Sequence, residues 1–326
     1  MALTAETWPI AAAMLPFPAA QPEDANEDAL RVEWARSLQQ VADADFAHVD
    51  LTDSWVRYGD LDERHRQLFR HVLADSGLKA ASLSAIRRSV IDADTGAENL
   101  AYSHRTLDFA ADLGIGVVSV GLHQALSPRQ REQLWFWTAE GHRDRLDDRE
   151  AWDLAVSGFR ELGAHAADLG LLLSLEMYEH TFLGSGASAV RLVEEIGMAE
   201  VGLNPDIGNL VRLHEPIEDW RELLAQTLPF TNFWHVKNYA RDEDPQSGVI
   251  TTLPAYLESG LIDYRSAIAM AIDSGFQGVI CTEHYGGDGL SMSAANRDYL
   301  RRRILPRRDY EPGASLVVQH SERSWS

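Results

Sequence analysis

Four short apolar segments in the second half of the chain each end near a side chain that can bind a metal ion. The segment ends read SLE, NPD, WHVK and CTE, and their metal-capable residues are Glu176, Asp206, His235 and Glu283. Three carboxylates and one imidazole suit a hard or borderline divalent cation such as Mn²⁺ or Mg²⁺. One polar residue at a strand end is usually only solvated, but four at equivalent positions predict a metal site.

These segments belong to a pattern that repeats along the chain. A helical segment with an acidic residue near its end stops at a glycine, as at Gly77, Gly114, Gly170, Gly197 and Gly275, and a short apolar segment then follows. Glycine at a helix end and apolar segments buried on both faces are typical of alternating helices and parallel strands. We predict eight strands with helices between them, near residues 9–15, 45–51, 78–84, 115–121, 171–177, 201–206, 231–237 and 277–283.

Eight such units predict a closed (β/α)8 TIM barrel, an α/β fold with a single domain. The alternative is an open doubly wound sheet, which would carry a glycine-rich phosphate turn after its first strand. Residues 14–18 read MLPFP at that position, which is no such turn. We place the barrel at residues 1–308. The tail, residues 309–326, has no clear element and is expected to be disordered or to dock on a neighbouring chain.

Two long connections follow the fourth and seventh predicted strands, at residues 122–149 and 238–262. Both fall on the C-terminal face of the barrel, where active sites of this fold are built. Loops of this length are usually lids, binding loops or interfaces. The first of them carries three adjacent aromatic residues, at 135–137, and His142.

The composition excludes several classes of partner. The chain has 326 residues with a formal net charge of −21, which disfavours binding to nucleic acid and to anionic membranes. Cys281 is its only cysteine, so no disulfide can form within the chain. The first 20 residues lack the basic start of a secretory signal, and no apolar segment is long enough to span a bilayer. These features predict a cytoplasmic protein.

The four strand ends resemble those of the xylose-isomerase-like superfamily of sugar isomerases, epimerases and inosose dehydratases. The metal set of that superfamily corresponds to Glu176, Asp206, His235 and Glu283, and its HVK-x-x-x-R stretch corresponds to residues 235–241. The EHYGGDG sequence at residues 283–289 and the loop around His142 are most similar to the alpha subunit of bacterial C-glycoside deglycosidases. The resemblance extends from about residue 8 to residue 305.

The resemblance implies a function as well as a fold. Deglycosidases of this kind cleave the carbon–carbon bond of 3-keto C-glycosides of flavonoids and other phenols, together with a small beta subunit. A divalent metal is implied, with Mn²⁺ expected and Mg²⁺, Co²⁺ or Zn²⁺ as alternatives. The reaction would remove the proton at C2 of the sugar and release the aglycone by β-elimination. One departure argues against a ketohexose 3-epimerase, because Asn209 stands where those enzymes carry a histidine.

The implied roles can be assigned residue by residue. His142 is the expected general acid or base, and Glu176 and Glu283 could form the proton-transfer pair as well as bind the metal. Lys237 is expected to orient or polarise substrate oxygens. The remaining predicted substrate-binding residues are Arg241, His123, His284, Tyr285 and Trp135.

Two other functions stay open at this stage. A sugar or inosose isomerase, epimerase or dehydratase would share the metal and the enediolate, and it would act on a free sugar without a partner chain. A non-catalytic subunit that binds a sugar is the third reading. The complete set of metal-binding residues argues against it, since a decayed enzyme would be expected to lose ligands.

Overall fold

A computed structural model that describes residues 2–22 and 26–319 contains eight short parallel strands, β1 (Ile10–Ala13), β2 (His48–Thr52), β3 (Lys79–Ser84), β4 (Val117–Val120), β5 (Leu172–Glu176), β6 (Val201–Asn204), β7 (Phe233–Val236) and β10 (Val279–Thr282). They lie side by side in the order β6-β5-β4-β3-β2-β1-β10-β7. The row closes between β6 and β7, where Leu203 forms a parallel bridge with Thr231 and accepts a hydrogen bond from the Asn232 amide at 3.2 Å. The predicted (β/α)8 barrel is confirmed.

Helices connect these strands and surround the barrel. Many begin at an aspartate whose side chain accepts an amide hydrogen bond, as Asp148 does from Ala151 at 3.0 Å. The five glycines that were predicted to end helices all have positive φ, between 69° and 82°. The helices are α1 (Glu27–Asp43), α2 (Glu63–Ser76), α3 (Gly96–Asp112), α4 (Pro128–Arg131), α5 (Arg149–Asp168), α6 (Gly186–Ile196), α7 (Gly208–Val211), α8 (Trp220–Thr227), α9 (Tyr264–Asp273) and α10 (Gly289–Tyr299).

The two long connections hold structure of their own. The connection after β7 contains an antiparallel hairpin of β8 (Asn238–Glu243) and β9 (Ile250–Ala255), which the sequence analysis treated as loop. The connection after β4 contains α4 and a 3₁₀ turn, Phe136–Thr138. No helix in the described part of the chain is both long and apolar enough to cross a membrane.

Side chains alternate along each strand, so one face of every strand points into the barrel. An apolar cluster fills part of the interior and consists of Ala11, Ala13, Ala81, Val117, Leu172, Phe233, Val279 and Cys281. On β5 the same face continues upward from Leu172 through Ser174 to Glu176, all buried. This polar upper layer holds the predicted metal site.

The part of the tail that the structure describes, residues 309–319, has no helix or strand but packs on the barrel of its own chain. The Leu316 amide donates to Pro229 O at 2.8 Å, and the Val318 amide donates to Ala199 O at 2.7 Å. Over this range the tail is therefore ordered against its own barrel, and docking on a neighbouring chain stays a prediction. Residues 320–326 lie outside the described residues, and the domain boundary at Arg308 stays a prediction.

Candidate metal centre and active site

The four predicted metal ligands meet at the C-terminal end of the barrel. His235 Nδ1 lies 3.7 Å from Glu176 Oε2, 3.8 Å from Asp206 Oδ2 and 3.8 Å from Glu283 Oε2. All four side chains are buried. Ligand atoms bound to one cation at about 2.0–2.2 Å lie about 3–4 Å apart, so these separations fit a shared ion.

Strand register brings these residues together although they are far apart in sequence. Glu176 is the last residue of β5 and pairs with Asn204, two residues before Asp206. On the neighbouring pair, His235 of β7 lies opposite Cys281, so Glu283 follows two residues higher on the same face. The side-chain period of a strand therefore aims all four groups at one point.

The donor set has the charge and the unsatisfied atoms of a cation site. His235 Nδ1 and Asp206 Oδ1 are buried and have no hydrogen-bond partner within the described residues. Lys237 Nζ lies 2.6 Å from Glu283 Oε2 and 2.7 Å from Asp206 Oδ2, so it offsets only one of three carboxylate charges. Two negative charges remain, which a divalent cation would neutralise. The residues thus fit a hard or borderline divalent metal.

Burial is the largest influence on the three carboxyl groups, and it opposes their ionisation. For Asp206, burial and the neighbouring carboxylates outweigh Lys237 and raise the pKa to about 7. For Glu176, the His123, His235 and Lys237 side chains outweigh burial and hold the pKa well below its usual range. Lys237 and His235 likewise lower the pKa of Glu283. A bound dication would help to keep all three ionised, because it favours the charged form.

Asp50, which the sequence analysis did not single out, sets the orientation of the His235 ring. Its buried carboxylate accepts hydrogen bonds from Ser82 at 2.6 Å and from Ser84 at 3.1 Å. Ser84 Oγ lies 3.3 Å from His235 Nε2 and has already used its proton on Asp50, so it accepts from Nε2–H. With a metal bound, this network would keep the one remaining ring proton on Nε2 and leave the Nδ1 lone pair for the metal.

We expect Asp50→Asn to lower the affinity for divalent metal by about 10- to 100-fold, which is the usual cost of losing such a partner. His235 Nε2 lies 3.6 Å from Asp50 Oδ2. In the variant, the NH₂ group of the asparagine would face Nε2 and favour the His235 tautomer that carries its proton on Nδ1. Titration calorimetry with Mg²⁺ measures the effect. Ser82→Ala is the matched control because it removes one hydrogen bond but keeps the carboxylate. Equal affinity in Asp50→Asn and the wild type would refute the role.

A narrow cavity opens directly above the four ligands. Its volume is about 20 Å³, room for roughly one water molecule, so a sugar can enter only if part of the wall moves. Three of the four predicted metal-binding side chains and two predicted substrate-binding residues, His123 and Tyr285, lie in its wall. The other lining residues are Ala13, Leu15, Thr52, Ile86, Arg87 and Tyr178.

Two more polar groups contact the Glu176 carboxylate. His123 Nε2 lies 3.3 Å from Glu176 Oε1, and its ring packs against Tyr178 with centroids 4.0 Å apart. Asn209 Nδ2 donates to the same oxygen at 3.2 Å and to Met177 O at 3.0 Å. Asn209 thus contacts the carboxylate of a predicted metal ligand directly.

The structure places other predicted site residues outside the cavity wall. His142 lies on the connection after β4 with its side chain 43% exposed, bonded to Gln124 and Asp144. The Arg241 guanidinium binds the main-chain carbonyls of Val211, Leu213 and Glu215. Their catalytic and substrate-binding roles stay predictions.

Trp135 and His284 also lie beside the cavity rather than in its wall. Trp135 stacks on Trp137 with ring centroids 5.1 Å apart, and Trp137 packs edge-on against Tyr285 at 5.7 Å. His284 is buried directly after Glu283. Burial lowers the pKa of His284. Trp135 is linked to the cavity wall through Trp137 and Tyr285, and His284 is linked to it through Glu283. Direct contact of Trp135 or His284 with a substrate stays a prediction.

The fold and the site together define a class of protein, a (β/α)8 barrel with three buried carboxylates and one histidine at the C-terminal face that could hold a divalent cation. The sequence profile of the xylose isomerase-like TIM barrel family matches residues 38–303. The chain belongs to this family. No curated protein sequence matches it.

Three solved structures illustrate the similarity. A xylose isomerase-like TIM barrel protein from Mycobacterium smegmatis, in complex with magnesium, is 44% identical, covers 92% of this chain and 97% of its own, and has a TM-score of 0.87. D-allulose 3-epimerase from Methylomonas sp. is 16% identical over 93% of this chain and 92% of its own, with a TM-score of 0.61. The 3-keto-D-glucoside 4-epimerase from E. coli is 15% identical over 90% and 97%, with a TM-score of 0.60. The last two show likeness of fold.

Proposed function

We propose that this protein is a divalent-metal-dependent enzyme that removes a proton from a carbon next to the carbonyl group of a sugar or sugar-derived ketone. The convergence of three buried carboxylates on His235 Nδ1 at 3.7–3.8 Å carries this proposal. The metal would supply Lewis acidity that stabilises negative charge on the substrate oxygens. Isomerisation or epimerisation is the first fate proposed for the deprotonated substrate, since several proteins of similar fold are sugar epimerases.

The residues of the chain supply the proton transfer. Glu176 and Glu283 both line the cavity, and their lowered pKa values keep both carboxylates ionised at neutral pH, which is the only form that can take up a proton. Lys237 holds Glu283 by a hydrogen bond of 2.6 Å, and His123 and Asn209 hold Glu176. Each carboxylate is therefore fixed in orientation, with one face toward the substrate cavity.

Cleavage of a 3-keto C-glycoside is the second candidate. Asn209 replaces the histidine of the ketohexose epimerases, and Tyr285 and Tyr178 give the cavity an aromatic wall for a phenolic ring. A protein of similar fold acts on a 3-keto-D-glucoside, which is the same class of sugar. In this reaction the C2 proton goes to the base and a C1=C2 double bond forms. The electrons of the broken C1–aryl bond go to the aryl carbon, which takes up a proton.

One experiment separates the two fates. The purified chain is loaded with Mg²⁺ or Mn²⁺ and incubated in D₂O with a free ketose or with a 3-keto C-glucoside, with and without a candidate small partner subunit. Deuterium appearing next to the carbonyl, without aglycone release, would support the isomerase or epimerase reading. Aglycone release that EDTA stops would support the lyase. Neither event with any ketose or keto-glucoside would refute enolisation.

The predicted acid–base role of His142 has its own test. His142→Ala should retain the metal, because the imidazole contacts none of the four ligands, and should lower turnover by about 10²- to 10⁴-fold. The connection after β4 would have to move for His142 to reach the substrate. Metal content by mass spectrometry and initial rates measure the two effects. Full turnover in the variant would contradict the acid–base role of His142 and would favour proton transfer by Glu176 and Glu283.

The nature of the metal and of any partner is also a proposal. We keep Mn²⁺ as the proposed native ion, with Mg²⁺ as the alternative supported by the similar M. smegmatis structure. A small beta subunit is proposed from the resemblance to C-glycoside deglycosidases alone. In the experiment above, comparing the rates with Mg²⁺ and with Mn²⁺ tests the proposed metal. Comparing the rates with and without the small subunit tests the proposed partner.

A further inference from the structure

Arg87, which the sequence analysis did not single out, has an unusual backbone conformation beside the metal centre. Its φ is +56°, in the left-handed region that is unfavourable for a residue with a Cβ atom. It follows the C-terminal end of β3 and lines the cavity together with Glu176 and Glu283. A strained conformation at such a place persists only when the surrounding structure holds it.

The buried carboxylate of Asp53 holds the residues on either side of Arg87. Asp53 Oδ1 accepts the Ile86 amide at 2.9 Å, and Asp53 Oδ2 accepts Arg88 Nε at 2.9 Å. Arg88 is fixed further because its guanidinium lies 4.4 Å from the centre of the Tyr102 ring. With both neighbours anchored, the backbone at Arg87 is held in place, and the Arg87 side chain lies in the cavity wall.

The Arg87 guanidinium lies among aromatic and neutral groups. It is 5.1 Å from the centre of the Phe136 ring and 5.7 Å from that of Tyr178. It donates to Gln124 O at 2.9 Å and to Tyr178 Oη at 3.1 Å. An arginine has five N–H donors, so three remain. Within the described residues no carboxylate forms an ion pair with it, although it is half-buried.

We propose that Arg87 binds an anionic oxygen of the substrate, either a phenolate or a carboxylate, on the part of the molecule that extends away from the metal ligands. The inference rests on the proposed function, since it assumes that the substrate occupies this cavity. A planar guanidinium with free donors matches an oxyanion attached to a planar carbon. In a phenolic glycoside this oxygen would belong to the aglycone, and in a sugar acid it would be the carboxylate.

The test uses binding and needs no turnover. Dissociation constants are measured by calorimetry on Mg²⁺-loaded protein for two probe pairs, a nitrophenolate with its methyl ether and D-glucuronate with D-glucose. We expect Arg87→Gln to weaken the anionic member of one pair by about 10- to 100-fold and its neutral partner by less than about threefold. Loss in the phenolate pair assigns a phenolate, and loss in the glucuronate pair assigns a carboxylate.

Controls separate this role from a structural one. Arg66→Gln is the matched variant, because Arg66 also lies over an aromatic ring, Phe109 at 5.9 Å, and donates to a carbonyl, Leu61 O at 3.0 Å, but is not in the cavity wall. It should change no probe affinity. Arg87→Gly tolerates the positive φ and replaces the glutamine variant if that one fails to fold.

The outcomes are distinct from those of the proposed reaction. Equal weakening of the charged and neutral probes, or no weakening of either, would overturn the anion site. Unchanged Mg²⁺ affinity in Arg87→Gln would show that the metal centre is intact. Failure of every ketose or keto-glucoside to react, with the charge-dependent loss still observed, would reject the proposed function and leave the anion site standing.

Discussion

Glu176→Gln is expected to abolish metal retention and turnover together. The substitution keeps the size of the side chain but removes one of three carboxylate charges that converge on His235 Nδ1. Loss of a residue that only orients a ligand usually weakens metal affinity by 10- to 100-fold. Loss of a ligand itself should therefore lower Mg²⁺ affinity by more than about 100-fold. Calorimetry measures the metal, and deuterium exchange into a reactive ketose measures the reaction.

A control for Glu176→Gln is the same substitution at a glutamate outside the predicted metal site. Glu222→Gln on the exposed side of α8 is suitable and should behave as the wild type. The melting temperature of metal-free Glu176→Gln shows whether the barrel remains folded. Wild-type metal affinity and turnover in Glu176→Gln would mean that the four-residue site is wrongly assigned.

A second large effect is expected for Glu179→Ala, outside the metal site. Glu179 and Arg212 are both buried, and Arg212 Nη2 lies 2.8 Å from each carboxylate oxygen. Removing one member of a buried ion pair leaves the other without a counter-charge and costs about 3–5 kcal/mol. We expect a drop of roughly 10 °C in melting temperature, measured by differential scanning fluorimetry.

The Arg212 guanidinium is also enclosed by aromatic rings that border the cavity. Its Cζ atom lies 4.8 Å from the ring centres of Phe136 and Trp137 and 5.5 Å from those of Tyr178 and Tyr285. The ion pair therefore anchors the aromatic segment of the connection after β4. Loss of the pair should loosen this wall of the site as well as destabilise the fold.

The matched control for Glu179→Ala is Glu98→Ala. Glu98 accepts a hydrogen bond from Arg105 at the same distance of 2.8 Å, but the pair is exposed to solvent. Exposed pairs contribute about 0–1 kcal/mol, so this variant should melt within about 3 °C of the wild type. Similar small losses in both variants would show that the buried pair contributes no more than a surface pair.

The positions of the barrel strands could be predicted because each strand is buried on both faces. Continuous apolar segments followed the glycine ends of helices, and the observed strands overlap all eight predicted segments. Only β2 extends past its predicted end, by Thr52. The hairpin of β8 and β9 was missed because it carries Arg241, Asp242, Glu243 and Pro254 and lacks the regular apolar alternation of a barrel strand.

Sequence spacing predicts the direction of a side chain on a barrel strand, but it does not predict the direction of a side chain in a loop or hairpin. A strand has a side-chain period of two, so a residue at a barrel strand end has a determined direction. Arg241 follows His235 by six residues, but the hairpin turns its guanidinium toward the carbonyls after α7. His142 lies in a connection with no such period, and its place depends on contacts with Gln124 and Asp144.

The sequence by itself determined the barrel and the convergence of the four predicted metal ligands, because burial and strand period are local properties of each segment. Only the tertiary structure revealed the link from Asp50 through Ser84 to His235, and the position of Arg87 in the cavity wall. The positive φ of Arg87 is imposed by Asp53, a residue 34 positions earlier in the chain, and no local pattern predicts it. Contacts between distant segments set the orientation of the ring and the guanidinium, and these contacts exist only after the barrel closes.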